Sequence, residues 1–241
     1  AMGLSIAIVL LGLLAAYLLG SIPTGFLLVK ALKGTDIREY GSGNTGATNV
    51  FRVAGKKPGI AALIIDLLKG VLAVLLMYWM LNVVLSEMVA SSGIASGIAG
   101  TSDSGSFIYG GQSASIDRFM SSRPWLLVLS ALLAILGHSK SVWLGFSGGK
   151  SAATGLGVLL ALAWPVALGV AAVFGAALGL SRTVSVGSIA AALSASVFML
   201  LTQQPFPYIL LALLCGCYVI FLHRSNIARL MAGTEPKTFG R

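Results

Sequence analysis

A run of small and hydroxylated residues stands between two long apolar segments and ends shortly before an arginine. Glycines let a backbone turn sharply and present its N–H groups on a concave surface, and such a surface binds oxyanions. The hydroxyl and amide side chains add neutral hydrogen-bonding groups, and the guanidinium adds a fixed positive fork. This chemistry predicts a phosphate-binding loop formed by Gly41, Ser42, Gly43, Asn44, Thr45, Gly46, Ala47, Thr48 and Asn49, with Arg52 beyond it.

A second segment of the same character lies far along the chain, where Gly148, Gly149, Lys150 and Ser151 precede an apolar run. The N-terminus of a helix is an anion site because its first N–H groups have no partner within the helix. Lys150 brings a positive charge to the same place, although that charge also fits a role in membrane topology alone. The spacing does not match a nucleotide-binding P-loop. We predict a second phosphate-binding site here.

A third polar segment follows the last apolar run. His223, Asn226 and Arg229 recur at intervals of three, so they share one face if the helix continues for another turn. A basic helix end resting on lipid explains Arg229 equally well but does not explain Asn226. His138, near the second loop, is interpreted most simply as a helix-end histidine that hydrogen-bonds within the fold, with a general base as the alternative.

The elements that must position these loops are membrane-spanning helices. The chain has 241 residues, of which 57% are hydrophobic and 10% charged, against roughly 25% charged in soluble domains. Long apolar segments predict helices, because lipid cannot satisfy the hydrogen bonds of an open backbone. We predict one membrane domain over residues 1–241, with its chemistry in loops and helix ends. Asp66 and Lys69, one turn apart, are expected either to pair or to reach the membrane interface, and to support the site.

Six apolar segments mark the crossings. Pro23, near the end of the first segment, predicts a kink there. Residues 152–180 would reach about 43 Å as one helix at about 1.5 Å per residue, which exceeds a hydrocarbon core of roughly 30 Å. That segment is therefore expected to split at Trp164-Pro165. The segments run over residues 4–29, 58–84, 126–136, 152–180, 184–201 and 208–222, the third extending toward residue 146.

Basic residues set the sidedness of the bundle, because they favour the cytoplasmic side of a membrane. Clusters in the loop after the first segment, in the loop after the third and in the tail fit the cytoplasm with either five or seven crossings, and Arg182 fits it only with seven. We predict an all-α seven-helix bundle with an external N-terminus and a cytoplasmic C-terminus. Five crossings, without the split, are the alternative with the same sidedness. Residues 86–123, rich in Ser, Gly and Ala, predict a flexible external loop.

The composition also argues against several classes of function. The net charge of +9 fits membrane topology and attraction to anionic lipid, and no basic-aromatic motif for nucleic acid is present in the sequence. Cys215 and Cys217 lie in one apolar run with neither disulfide geometry nor metal-ligand spacing. We therefore predict a lipid bilayer as partner, with no nucleic acid, metal or cofactor.

Together the three polar segments resemble the cytoplasmic motifs of the bacterial acyl-phosphate:glycerol-3-phosphate acyltransferase (PlsY) family. The resemblance runs in order over nearly the whole chain and departs only in the long external loop. The matching stretches are Gly41–Asn49 with Arg52; Gly137-His138, Phe146-Ser147-Gly148-Gly149-Lys150 and Ala153-Thr154-Gly155; and His223–Leu230 with Gly233 and Glu235.

The resemblance implies a seven-spanning enzyme of phospholipid biosynthesis in the bacterial inner membrane, with its site at the cytoplasmic face. It implies transfer of an acyl group from acyl phosphate to the C1 hydroxyl of glycerol 3-phosphate, giving lysophosphatidic acid and phosphate. A monomer is consistent with the sequence, which leaves the oligomeric state open. By similarity, Ser42, Arg52, Lys150, His223 and Asn226 fall on substrate-binding and catalytic positions, and the backbone of residues 43–48 falls on the phosphate pocket.

Acyl phosphate is already activated, and no Ser-His-Asp arrangement is evident in the sequence. We therefore expect direct transfer without a covalent acyl-enzyme, driven by substrate positioning and electrostatic stabilisation. The leaving phosphate is expected to take the hydroxyl proton, while Lys150, Arg52 and Asn226 stabilise the developing charge. The alternative function is a transporter of an anionic phosphorylated metabolite, for which an internal inverted repeat is expected and none is seen in the sequence.

Overall fold

The computed structural model describes residues 2–92 and 106–237, and within these ranges the regular elements are helices. The predicted all-α class is therefore confirmed. Short 3-10 turns cover Ile37–Glu39 and Val142–Leu144. The α-helices are α1 (Met2–Ser21), α2 (Thr24–Lys33), α3 (Ala47–Ala54), α4 (Lys56–Ser91), α5 (Ser106–Ser139), α6 (Ala152–Leu162), α7 (Trp164–Ser181), α8 (Val184–Leu201), α9 (Phe206–Leu222) and α10 (Arg224–Met231).

Five of these helices, α1, α4, α5, α7 and α8, are long and apolar enough to cross a membrane. A sixth span is obtained if α9 and α10, bent by 57° at His223, count as one. By length and composition the described chain therefore has five to six candidate spans, fewer than the predicted seven. The difference arises because α6 has 11 residues and α9 has 17.

Two breaks predicted from proline are present. The first segment divides at Pro23 into α1 and α2, and the fourth divides at Ala163 into α6 and α7. Pro165 lies in the first turn of α7, where its missing N–H removes no helical hydrogen bond. Proline therefore ends one helix and starts the next without disturbing either.

Both edges of the predicted external loop 86–123 differ from the prediction. α4 continues to Ser91, and α5 is already helical from Ser106, so residues 86–91 and 106–123 extend the helices instead of forming a flexible connector. Adding residues to an existing helix costs less free energy than nucleating a new one. The flanking residues are therefore helical although their own periodicity is weak. Residues 93–105 of that prediction lie outside the described residues. The third span also ends at Ser139, before the predicted residue 146.

Close packing at glycines brings the helix ends together. A Cβ on Gly20 of α1 would overlap the backbone at Ala134 of α5, and a Cβ on Gly70 of α4 would overlap the backbone at Thr154 of α6. Small residues of this kind let membrane helices approach closely. A hydrogen bond also joins α1 to the end of α5, because the Tyr17 hydroxyl donates to the Lys140 carbonyl at 2.8 Å. The ends of α1 and α5 and the start of α6 consequently lie at one face of the bundle.

Candidate active site

A cavity of about 410 Å³ opens where these helix ends meet. Its mouth is polar and its deeper walls, from α6, α7, α8 and α9, are apolar. All three polar segments identified in the sequence contribute to the mouth. The predicted residues that line it are Ser42, Asn44, Gly46, Ala47, Thr48, Asn49, Arg52, Lys150, Ser151, His223 and Asn226.

The other predicted ligands, Gly41, Gly43, Thr45, Gly148 and Gly149, do not line this cavity. Gly41 and Gly43 adopt the left-handed region, with φ of 62° and 69°, which glycine reaches without strain. Thr45 is buried. These residues therefore shape the loops whose neighbours face the cavity.

Asn49 organises the first loop from inside. Its side chain is buried, with the Oδ1 atom accepting a hydrogen bond from the Ser42 N–H at 2.9 Å. Its Nδ2 donates to the carbonyls of Tyr40 and Asn44, both at 2.9 Å. Asn49 was predicted as a ligand, but these contacts make it the hydrogen-bonding centre of the loop.

Asn44 connects the first loop to the second. Its Oδ1 accepts from the Gly46 N–H at 2.8 Å, which forms a side-chain turn directly before α3. Its Nδ2 donates to the Gly148 carbonyl at 3.5 Å, across more than one hundred residues of sequence. The two predicted phosphate loops therefore form adjacent walls of one cavity.

Lys150 lies at the centre of the mouth. Its ammonium donates a hydrogen bond to Asn226 Oδ1. The pKa of Lys150 falls to about 8 because burial disfavours the ammonium, with Arg229 adding repulsion, Glu235 opposing it and Arg52 adding a smaller repulsion. Three positive side chains thus converge on the mouth, where an anionic ligand would relieve their repulsion.

Glu235 links the third polar segment to the start of α8 through hydrogen bonds. Its carboxylate accepts hydrogen bonds from Asn226 Nδ2 at 2.6 Å, Arg229 Nε at 2.7 Å and Ser185 Oγ at 2.9 Å. Burial raises the pKa of Glu235, but the hydrogen bonds from Asn226, Arg229 and Ser185 outweigh it and hold that pKa below its ordinary value. The carboxylate therefore stays ionised and fixes the orientation of Asn226, whose other amide atom meets Lys150.

His223 is buried at the junction of α9 and α10. Its Nδ1 lies 2.7 Å from the Val219 carbonyl. Since a carbonyl only accepts, Nδ1 carries the proton and donates it. In the neutral ring Nε2 is then left as a hydrogen-bond acceptor.

A family model described as glycerol-3-phosphate acyltransferase matches residues 10–233. The chain belongs to the glycerol-3-phosphate acyltransferase family. It is 48% identical over 224 residues to a glycerol-3-phosphate acyltransferase of Nostoc sp., covering 93% of this chain and 89% of that one. It is 47% identical over 236 residues to one of Trichormus variabilis, covering 98% and 94%. The family resemblance predicted from the three motifs is confirmed.

Two solved structures of PlsY, an integral membrane glycerol 3-phosphate acyltransferase, have the same fold. The glycerol 3-phosphate form aligns with a TM-score of 0.73 at 34% identity, covering 96% of each chain. The lysophosphatidic acid form aligns with a TM-score of 0.71 at 34% identity, covering 96% and 95%. The predicted integral membrane architecture is confirmed at this level.

Several residues of this acyltransferase-family site were not among the predicted ligands. Ser185, Asp66, His138 and Glu235 also line the cavity. A carboxylate inside an apolar segment was the signal for Asp66, and the sequence motif itself contains Glu235. Ser185 carried no signal, because its role depends on a tail residue 50 positions away.

Proposed function

We propose that this protein transfers a fatty acyl group from acyl phosphate to the C1 hydroxyl of glycerol 3-phosphate, giving lysophosphatidic acid and phosphate. The observation that carries this proposal is the continuity of a cationic mouth with an apolar shaft in a single cavity. Both substrates carry phosphate, and only the donor carries a long tail. One cavity of this shape accommodates both phosphates at the mouth and the tail in the shaft.

The polar residues of the mouth then take distinct roles. Arg52 and Lys150 neutralise the phosphates, with Arg52 suited to a bidentate contact and Lys150 to a point charge. Ser42, whose backbone Asn49 holds in place, and the first-turn N–H groups of α3 complete a phosphate cradle. Asn226, fixed between Lys150 and Glu235, orients the acceptor.

The reaction is proposed as direct acyl transfer. The C1 oxygen forms a bond to the acyl carbonyl carbon, and the bond from that carbon to the phosphate oxygen breaks. The departing phosphate takes the hydroxyl proton. Holding the two reactants in this geometry can supply up to about 7–11 kcal/mol of the barrier, and Lys150 and Arg52 stabilise the negative charge that develops.

His223 offers the alternative base, since its neutral Nε2 can accept a proton. Labelled phosphate release by the His223→Ala variant separates the two mechanisms. Substrate-assisted transfer predicts measurable turnover with an altered KM, because the histidine then contributes binding only. Loss of turnover with both substrates still bound would show that the protein supplies the base.

We further propose seven crossings, with the N-terminus external, the C-terminus cytoplasmic and the site at the cytoplasmic face of the bacterial inner membrane. The apolar helices alternately end and start at the face that holds the mouth: α1, α5, α7 and α9 end there, while α6 and α8 start there and α4 leads away from it. The 11 residues of α6 span only about 16 Å. A crossing this short fits a cavity that recesses the site below the membrane surface.

The sidedness is testable by thiol labelling in intact cells, in a background where Cys215 and Cys217 are serine. Thr202→Cys, in the turn after α8, is expected to react with a membrane-impermeant maleimide. Thr234→Cys, beside the mouth, is expected to react only after the cells are opened. The reverse pattern would contradict the proposed orientation.

The remaining architecture follows from the same proposal. Residues 1–241 are proposed to form one membrane domain, with the end of α4 and the start of α5 on the external side. The functional unit is proposed to be a monomer. Light scattering of the active protein in detergent tests this, with a monomer mass expected after subtraction of detergent.

The central experiment uses purified protein in detergent with acyl phosphate and glycerol 3-phosphate. Lysophosphatidic acid and phosphate are expected in equal amounts, while acyl-coenzyme A and acyl-carrier protein serve as control donors. Without a sealed compartment a transporter has no measurable activity. Uptake of a phosphorylated metabolite into vesicles, without product from any donor, would support the transporter instead.

A further inference from the structure

A buried charge cluster lies beside the mouth, on the side away from Glu235. Lys69 Nζ lies 2.9 Å from Asp66 Oδ1, as predicted from their spacing, and His138 Nδ1 lies 3.6 Å from the same oxygen. The side chains of Lys69, Asp66 and His138 are 5%, 2% and 7% exposed. Burying charges is expensive even when they are paired, so a cluster at this depth is expected to have a function.

The cluster joins three elements around one histidine. Lys69 also donates a hydrogen bond to the Ile22 carbonyl at 2.9 Å, at the break between α1 and α2. Asp66 and Lys69 belong to α4, and His138 lies in the last turn of α5. The imidazole therefore faces the Asp66 carboxylate of α4 across 3.6 Å, while α4 itself is fixed to the end of α1.

The opposite side of the imidazole meets the second loop. A Cβ placed on Gly149 would overlap His138 Nε2, so this glycine packs directly on the ring. The Gly149 N–H donates to the His138 carbonyl at 3.0 Å. A Cβ on Gly148 would overlap that same backbone carbonyl, not the ring. The glycine pair thus wraps around His138.

Both neighbours of Lys150 are attached to the end of α5. On the other side of the lysine, Ser151 Oγ donates to the Ile135 carbonyl at 2.8 Å. The last four carbonyls of a helix have no intrahelical partner, and here the Gly149 N–H satisfies that of His138, while Ser151 adds a bond to the Ile135 carbonyl one residue further into the helix. The direction in which Lys150 leaves the loop is consequently set by how the loop sits on α5.

We propose that His138, which faces the Asp66–Lys69 pair, is the positioning residue for Lys150: its imidazole is the surface on which Gly149 of the second loop packs. This inference rests on the proposed function for its catalytic meaning. A displacement of about 1 Å in a positioned group can cost about 100-fold in rate, so small changes in ring packing are expected to reach the reaction through Lys150.

The charge state of Lys150 reports its position. Its ammonium is faced by Arg52 from α3, by His223 and Arg229 from the α9–α10 region and by Glu235 from the tail. Together with burial these groups place its pKa near 8. A loop that no longer closes on His138 lets Lys150 move into solvent, where its pKa returns toward the ordinary value of 10.5.

The test is a size-compensation series of Gly149→Ala, His138→Ala, the double variant and Gly148→Ala. Gly149→Ala presses on the ring and is expected to lower kcat about 10–100-fold. His138→Ala removes the ring, so adding Gly149→Ala in that background is expected to cost at least about tenfold less in kcat than in the parent protein, because the added methyl group then has room. Gly148→Ala is the matched control, since its methyl group meets the His138 backbone and removal of the ring offers no relief.

A second readout is independent of turnover. The pH dependence of Lys150 acetylation by acetic anhydride, followed by peptide mass spectrometry in detergent, gives the titration of the amine. It is expected near pH 8 in the parent protein, higher in Gly149→Ala and His138→Ala, and unchanged by mutation of lipid-facing Leu193. Thermal unfolding in detergent checks that each variant is folded.

Each outcome decides the inference. The inference is overturned if Gly149→Ala lowers kcat by the same factor with and without the His138 ring, or if removal of the ring relieves Gly148→Ala to the same extent. An unchanged pH dependence of Lys150 acetylation in folded His138→Ala also overturns the inference. If the parent protein makes no product with any donor, the proposed function fails, whereas the titration series still confirms or refutes the positioning of Lys150.

Discussion

The pH dependence of activity tests the electrostatics of the mouth most directly. Lys150 has a pKa of about 8, and its proposed role requires the charged form. Raising the pH through this value removes the ammonium that binds phosphate. Because each pH unit changes the protonation ratio tenfold, the charged fraction is about nine-tenths at pH 7 and about one-tenth at pH 9. We expect kcat/KM for glycerol 3-phosphate to fall about tenfold over this interval.

The fall of kcat/KM above neutral pH is the alkaline limb of the pH profile. Two neighbouring charges are expected to shift this limb in opposite directions. Arg229 lowers the pKa of Lys150, and Glu235 raises it. Arg229→Gln should therefore shift the limb of kcat/KM to higher pH, and Glu235→Gln should shift it to lower pH. Bound phosphate also stabilises the ammonium, so the limb of kcat is expected at higher pH than that of kcat/KM.

The assay is initial-rate formation of lysophosphatidic acid in detergent from pH 6.5 to about 10, with acyl phosphate hydrolysis measured without acceptor and subtracted. The second ionisation of a phosphate monoester, near pH 6, affects only the acid side. A profile that stays flat to pH 10 would falsify the assignment of this limb to Lys150. Shifts of the same sign in both variants would show that structural damage, not charge, dominates.

Three further outcomes are expected. Asn49→Ala leaves the Ser42 N–H and the carbonyls that Asn49 binds without their partner, which costs about 1–3 kcal/mol of folding stability. The denaturation midpoint and the KM for glycerol 3-phosphate should both change, and an unaltered KM would contradict the organising role of Asn49. Ala195→Phe, deep in the shaft, should lower kcat/KM for long-chain acyl phosphates at least about tenfold relative to short-chain ones, in a direct competition assay. Lys69→Met leaves the Asp66 carboxylate with only the His138 imidazole, 3.6 Å away, and should lower the unfolding free energy by about 3–5 kcal/mol, whereas a thermal unfolding midpoint equal to that of the parent would show that the Asp66–Lys69 pair is dispensable.

The sequence predicted the polar parts of the site well because each is locally distinctive. Glycines beside hydroxyl residues and Arg52, or beside Lys150, have few purely structural explanations in an apolar chain. Proline likewise marked the breaks at Pro23 and near Pro165. The sidedness argument brought all three polar segments to one face, and the structure places them around one cavity.

Long-range partners explain what the sequence did not predict. The sequence around Asn49 is the same whether its side chain binds a ligand or stabilises the loop. Only its four hydrogen-bond partners in the structure distinguish these two roles. Glu235 acquires its role from Ser185 and Arg229, which meet it only in the folded chain. The helical extension of α5 back to Ser106 likewise depends on propagation from its apolar part, not on local periodicity.

The depth of the shaft connects the helix geometry to the chemistry of the donor. The cavity-facing positions of α8 run from Val184 to Ala195, which is about 16 Å along the axis at about 1.5 Å per residue. An extended hydrocarbon advances about 1.25 Å per carbon, from a bond of about 1.5 Å and an angle near 111°. The shaft thus holds on the order of 13 carbons before Met199, which is buried beyond it. In the proposed reaction donor and product carry the same tail, so we expect both to use this shaft and the product to leave before the next donor enters.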